Sequence, residues 1–132
     1  MQKLSVVIPA YNEEKTIKNS SLDDVWSYLS KQKYNWEVVV VDDASTDKTL
    51  ALSTEFAKNH KGIRVLAESH RGKGGSVIAG MLKASGDIIL FADMDQATPI
   101  NQIEKLLPEF NEGFDIAIGS RSGRKGAPII RK

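Results

Sequence analysis

The sequence predicts an α/β fold with a doubly wound, mostly parallel sheet, and three observations carry that prediction. Short apolar runs alternate with helix-period stretches from Leu4 to Ile118. Two of the runs, Val38-Val39-Val40-Val41 and Ile88-Ile89-Leu90-Phe91-Ala92, are apolar on both faces, as strands buried within a parallel sheet must be. No repeat, linker or low-complexity segment interrupts the alternation, so right-handed strand–helix–strand crossovers suffice to connect it. With 132 residues the chain is long enough for one α/β core and too short for two, so residues 1–132 are read as a single domain.

In order, Leu4 to Pro9 is a first strand closed by proline, and Ala10 to Glu14 is a turn whose two acids favour a helix N-terminus. Leu22, Val25, Trp26 and Leu29 recur at i, i+3, i+4 and i+7, the stripe of an amphipathic helix. Trp36 to Val41 is the second strand, followed by Asp42 and Asp43. Ser45 or Thr46 is expected to cap the next helix, with Leu50, Ala51, Thr54 and Ala57 on its inner face and Gly62 at its close. Ile63 to Leu66 is a third short strand. Val77, Ile78, Met81 and Leu82 mark a helix entered through the glycine-rich stretch 70–76 and ended near Gly86. After the strand from Ile88, Thr98 and Pro99 read as the N-cap and first turn of a helix lined by Ile103, Leu106, Leu107 and Phe110. Phe114 to Ile118 is a fifth strand.

Composition narrows the possibilities. Hydrophobic residues make up 41% and charged residues 27%, an ordinary globular balance. The absence of cysteine excludes disulfide frameworks and Cys-ligated zinc. No apolar stretch approaches the roughly 20 residues of a membrane span, and Met1-Gln2-Lys3 leads straight into a strand, so the expected location is the cytoplasm. Net charge is +1, but from Gly119 onward there are five basic residues (Arg121, Arg124, Lys125, Arg131, Lys132) and no acid. The first 118 residues therefore hold 13 basic and 17 acidic residues, a net −4. A basic tail on an acidic body points to an anionic partner for the tail; nucleic acid is not expected.

In a parallel sheet all strands present their carboxyl ends along one edge, where open α/β sheets bind ligands. Pro9 to Glu13, Asp42-Asp43 and Asp93-Met94-Asp95 each follow a strand and so converge there. Two carboxylates one residue apart repel each other unless a positive group lies beside them; a hard divalent cation that itself holds a diphosphate would serve. Gly72-Lys73-Gly74-Gly75, at a helix N-terminus with Arg71 beside it, offers backbone N–H groups and charge suited to phosphate. It is not a Walker A loop, because Gly74 follows Lys73 where Ser or Thr is required. It is not the dinucleotide fingerprint either, since Val77 stands where a third glycine would be. A receiver-type phosphoacceptor domain would place its acid pair after the first strand, where this chain has Pro9 and Tyr11.

The segments Val7-Ile8-Pro9-Ala10-Tyr11-Asn12-Glu13-Glu14, Val40-Val41-Asp42-Asp43-Ala44-Ser45-Thr46-Asp47, Asp93-Met94-Asp95 and Gly119-Ser120-Arg121 together resemble family-2 glycosyltransferases of the GT-A fold, a Rossmann-like nucleotide-diphospho-sugar transferase architecture. Arg71-Gly72-Lys73-Gly74-Gly75 and 92–98 look most like dolichyl- or polyprenyl-phosphate sugar transferases, of glucosyl or mannosyl type. The resemblance implies an enzyme that transfers a hexose with inversion, using Mg²⁺ or Mn²⁺. The donor would be UDP-glucose, or next GDP-mannose, and the acceptor a lipid phosphate at the cytoplasmic face of a membrane. It also implies roles. Pro9, Ala10, Tyr11 and Glu13 would wall the nucleoside, and Asp42 would accept from the uracil ring N–H with Asp43 beside it. Lys73 would reach ribose or phosphates. Asp93 would line the nucleotide and metal pocket, with Asp95 as principal metal ligand, and Arg121, with Arg124 and Arg131, would hold the acceptor phosphate. Ala97 departs from the metal-binding Gln of some mannosyl relatives. His70 reads as an ordinary loop residue. The family continues beyond a fifth strand with acceptor-binding and often membrane structure, so a donor-binding domain without transfer activity is an alternative reading. A transferase acting on a hydroxyl acceptor is another.

Overall fold

A strand that is apolar on both faces needs cover on both sides. In the computed structural model, which describes residues 3–95, 100–106, 114–117 and 129–131, strand β2 (Trp36–Asp43) has that cover: every residue from Glu37 onward is buried. Strand β1 (Leu4–Ala10) pairs with it in parallel, from Leu4 opposite Trp36 to Ala10 opposite Asp42. β3 (Ile63–Glu68) lies on the other side of β2, and β4 (Ile88–Phe91) on the other side of β1. The resulting order, β3-β2-β1-β4, is entirely parallel.

Alternate residues point to opposite faces. Leu4, Val6, Ile8, Val38 and Val40 join Leu22, Val25 and Leu29 of helix α2 (Ser21–Ser30), which follows the short α1 (Glu14–Lys18). Each such side chain contributes roughly 1.5–3 kcal/mol on burial, more than the weak helix propensity of this Ser- and Asp-rich segment, so packing is what makes α2. Val7, Val39 and Val41 face the other way, onto Ala79 of helix α4 (Gly72–Lys83). The sheet is thus covered on both faces, as predicted.

Local differences from the sequence reading have physical causes. Helix α3 (Thr49–Asn59) buries Thr49 and Ser53 and half-buries Leu52, Phe56 and Ala57, leaving Ala51 and Thr54 exposed. Its start is set by Asp47, whose Oδ1 accepts the Thr49 N–H (2.9 Å), and not by a Ser45 or Thr46 cap. Gly62 (φ +96°) closes the turn after α3, where a Cβ would lie 2.7 Å from the Trp36 ring. In α4 the small residues face the sheet: a Cβ on Gly80 would lie 2.3 Å from Val7 Cγ1, so the helix sits close and Ile78 and Leu82 point outward. Gly86 lies beyond the helix end, its N–H donated to Ser5 Oγ (2.8 Å). The fifth strand, β5 (Phe114–Ala117), does not extend the parallel sheet. It pairs antiparallel with β6 (Ile129–Arg131), because Ile129-Ile130 in the basic tail supplies a β-prone partner. A 3₁₀ turn (Ile100–Gln102) and α5 (Ile103–Leu106) precede it, with Ile103 buried in the α2-side core. Thr98, Pro99, Leu107 and Phe110 lie outside the described residues.

At the amino ends of the strands Glu37 is a hub. Its Oε2 accepts from Ser5 Oγ (2.6 Å), the Ser85 N–H (2.6 Å) and Ser85 Oγ (2.9 Å), and Arg64 Nε lies 3.2 Å from Oε1. Burial alone would raise its pKa, but the Ser5 and Ser85 hydrogen bonds and the Arg64 charge outweigh it and hold it at about 2. A folded-state pKa below the unfolded value gives stability that is present above the ordinary carboxylate range and lost as pH falls. Replacing Glu37→Gln should therefore cost roughly 1–3 kcal/mol in urea unfolding at pH 7. That difference should shrink as pH falls from the ordinary value of 4.5 toward about 2; a difference independent of pH over that window would contradict the hub.

Candidate functional site

The carboxyl ends of the strands meet at a cleft of about 190 Å³, open to solvent. Pro9, Ala10, Tyr11, Glu13, Asp43, Lys73, Asp93 and Asp95 all line it, so the structure brings together eight of the residues singled out in the sequence. Ser76 and the buried Met94 also line it and carried no sequence signal. Asp42 sits behind the lining, 2% exposed. Arg121 and Arg124 lie outside the described residues, and Arg131 falls in β6.

The two adjacent acids of β2 are divided by the strand's period of two. Asp43 points to the α4 side, where its Oδ1 accepts the Arg71 N–H (2.6 Å) and its Oδ2 the Gly72 N–H (3.1 Å). His70 Nδ1 lies 2.8 Å from Oδ2. The Arg71 N–H above all holds the Asp43 pKa low, against the cost of burial, with help from His70, Gly72 and Ser76. These contacts correct the expected phosphate loop in part: a protein carboxylate already occupies the Arg71 and Gly72 N–H groups at the start of α4. Asp42 points to the opposite side. Its Oδ2 accepts the Ser45 N–H (3.3 Å), and its Oδ1 is buried with no hydrogen-bond partner among the described residues. Glu13 Oε2 is buried and unpartnered in the same sense.

Reciprocal hydrogen bonds stitch the β1–α1 turn to the β2–α3 turn. Asn12, at φ 52°, donates its N–H to Ser45 Oγ (2.9 Å) and accepts the Thr46 N–H at Oδ1 (2.9 Å). The Glu13 N–H donates to Thr49 Oγ1 (2.7 Å), the Glu14 N–H to Asp47 Oδ2 (3.2 Å), and Glu14 Oε1 accepts the Lys48 N–H (2.9 Å). Asn, Ser, Thr and Asp crowded after a strand are the available signal for such side-chain-to-backbone bonding; their pairing across the two turns is not visible in either segment alone. The stitched turns present Tyr11 at the cleft, 47% exposed, with its ring centroid 5.3 Å from that of His70. On the far wall Lys73 Nζ pairs with Asp93 Oδ1.

With this geometry in view, residues 5–130 match the family described as Glycosyl transferase family 2. The dolichyl-phosphate beta-glucosyltransferase of Drosophila melanogaster is 40% identical over 135 residues, which cover 91% of this chain and 41% of that protein. The chain spans about two fifths of the length of the curated relatives it matches. Among solved structures, mannosyltransferase PcManGT from Pyrobaculum calidifontis, in complex with GDP-Man and Mn²⁺, superposes with a TM-score of 0.61 at 32% identity, over 71% of this chain and 28% of that one. Glucosyl-3-phosphoglycerate synthase from Mycobacterium tuberculosis, in complex with Mn²⁺, UDP and glucosyl-3-phosphoglycerate, gives 0.55 at 33% identity, over 70% and 33% of the two chains.

Removing the Asp43 carboxylate should release the α4 entry. Asp43→Ala is expected to speed amide hydrogen exchange at Arg71 and Gly72 selectively and to lower the urea midpoint. Unchanged protection at those two amides would show that the loop is held by something else.

Proposed function

The chain belongs to glycosyl transferase family 2, and from that premise we propose that its cleft binds a nucleotide-diphosphate sugar for transfer of a hexose to a polyprenyl or dolichyl phosphate. One observation carries the donor assignment: the buried, unpartnered Oδ1 of Asp42, a residue next in sequence to the cleft-lining Asp43. A buried carboxylate oxygen without a donor costs about 1–3 kcal/mol or more, and a nucleobase ring N–H entering the cleft would satisfy it. Uracil supplies such a group with few other demands, and glucose is the sugar in the glucosyltransferase relatives' names, so UDP-glucose is the first choice and GDP-mannose the second. Pro9, Ala10, Tyr11 and Glu13 form the nucleoside wall in this reading, with Tyr11 offering its exposed ring face. Asp43 shapes the wall from behind the α4 entry, and Lys73 reaches the phosphates.

The residues present fit a divalent metal. Asp93 and Asp95, both lining the cleft, offer hard carboxylate oxygens, the donor type that Mg²⁺ and Mn²⁺ take. Among the described residues no three His, Cys, Asp or Glu side chains converge as a ligand set, and donor diphosphate and water oxygens would add to the two carboxylates. When bound, such an ion neutralises charge developing on a diphosphate leaving group. A lipid phosphate is already ionised near neutral pH, so attack on the anomeric carbon needs no general base, and single displacement inverts that carbon. Arg121, Arg124 and Arg131 would hold the acceptor phosphate by charge-assisted hydrogen bonds. No helix among the described residues is long and apolar enough to cross a membrane; the lipid acceptor would bring the protein to the cytoplasmic face of one. Residues 1–132 are assigned to one donor-binding domain. Because the chain spans two fifths of its relatives' length, donor binding is the property to measure.

Calorimetric titration with UDP-glucose and GDP-mannose, each with and without Mn²⁺, should give metal-dependent binding, tighter for UDP-glucose. Asp42→Ala should weaken it by roughly tenfold or more. Undiminished donor binding by a folded Asp42→Ala variant would remove Asp42 from the base site, and no binding of either donor would overturn the reading.

A further inference from the structure

The cleft carries its own cation. Lys73 Nζ lies against Asp93 Oδ1, and this lysine is the second residue of α4, whose entry is fixed by the Asp43 carboxylate through the Arg71 and Gly72 N–H groups. The backbone from which it reaches Asp93 is therefore anchored to β2. Asp93 and Asp95 both line the cleft, with one residue between them in sequence, and the Lys73 ammonium offsets the charge of Asp93. Of the two ion-pair partners, Asp93 is the more enclosed, at 22% side-chain exposure against 62% for Lys73. The lysine is thus the partner with room to leave.

We propose that Lys73 is a stand-in cation: in the donor-free protein it neutralises Asp93 and keeps a free divalent ion from the acidic pair, and it gives up Asp93 when a diphosphate arrives. This rests on the donor-site reading above. An ammonium and a divalent ion at the same carboxylate repel each other, and at contact distances near a protein surface that repulsion lowers the ion's affinity by about tenfold or more. A diphosphate reverses the balance, because its oxygens accept the Lys73 ammonium and supply the metal ligands that the described part of the protein lacks. Metal and nucleotide then bind as a pair, and Asp93 has a cation beside it both before and after the donor arrives. The exchange makes Lys73 a determinant of binding order as well as a phosphate contact.

The test is Mn²⁺ binding read by electron paramagnetic resonance of the free ion, for the wild-type chain, Lys73→Met and Lys73→Arg, each without and with UDP. Without nucleotide, Lys73→Met should bind Mn²⁺ about tenfold tighter than wild type. Lys73→Arg, which keeps the charge, should stay near wild type. UDP should tighten Mn²⁺ binding strongly in wild type and much less in Lys73→Met. If Lys73→Met binds Mn²⁺ alone no better than wild type, or if wild type binds it equally well with and without UDP, the stand-in role is overturned. UDP-dependent Mn²⁺ binding by the wild type in the same titration keeps the donor reading intact through the first of those failures. Absence of Mn²⁺ binding by every form, with and without UDP, would overturn both.

Discussion

The Asp43 carboxylate is the contact on which the candidate site depends. It stands at the last position of β2, a strand buried along almost its whole length, and its two oxygens take the first N–H groups of α4. Through them the rigid centre of the sheet fixes where α4 begins, and hence where Lys73 meets Asp93 and where His70 meets Tyr11. A buried carboxylate is costly unless its oxygens are satisfied; here satisfying it is also what shapes one wall of the cleft.

The two ends of the sheet handle their acids differently. At the amino ends, Glu37 is saturated by Ser5, Ser85 and Arg64, and its depressed pKa reflects hydrogen bonds that are complete without a ligand. At the carboxyl ends, Asp42 Oδ1 and Glu13 Oε2 are buried and unpartnered among the described residues, and Asp93 is paired with an exposed lysine. Glu37 closes the fold at one edge; at the other, Asp43 is satisfied in the same way, while Asp42 Oδ1 and Glu13 Oε2 keep hydrogen-bonding capacity in reserve. That asymmetry is the physical basis for placing ligand chemistry at one edge only, and it agrees with the general behaviour of parallel sheets. The stitched turns around Asn12 and Asp47 let this reserve exist, because they hold the backbone of the cleft wall with their own hydrogen bonds and leave Asp42 Oδ1 outside that network.

Much of this was legible in the sequence, for reasons that also explain what was not. The valine run of β2 is a buried strand as read; the Ile88–Phe91 run is a strand too, but β4 lies at the end of the four-stranded sheet with Ile89 and Phe91 only half-buried, and parallel topology brings Pro9–Glu13, Asp42-Asp43 and Asp93–Asp95 to one edge. Helix faces were less legible. In α3 the periodic template fits Ala51 and Thr54 about as well as Leu52 and Phe56, and the Asp47–Thr49 hydrogen bond decides the rotation. In α4 apolar periodicity pointed to Ile78 and Leu82, whereas close packing put Ala79 and Gly80 against the sheet. The different fates of Asp42 and Asp43 follow from strand alternation alone. The Lys73–Asp93 pair does not: its partners are 20 residues apart and meet only through the fold.

In this account a nucleotide and a divalent ion share the carboxyl-end cleft. Paramagnetic broadening of backbone amide resonances by Mn²⁺ in the presence of UDP tests it directly. Broadening centred on Asp93–Asp95 and reaching 10–13 and the α4 entry, with Ser5, Glu37 and Ser85 unaffected, is the predicted result. Broadening centred on the Glu37 edge, or none anywhere, would contradict it.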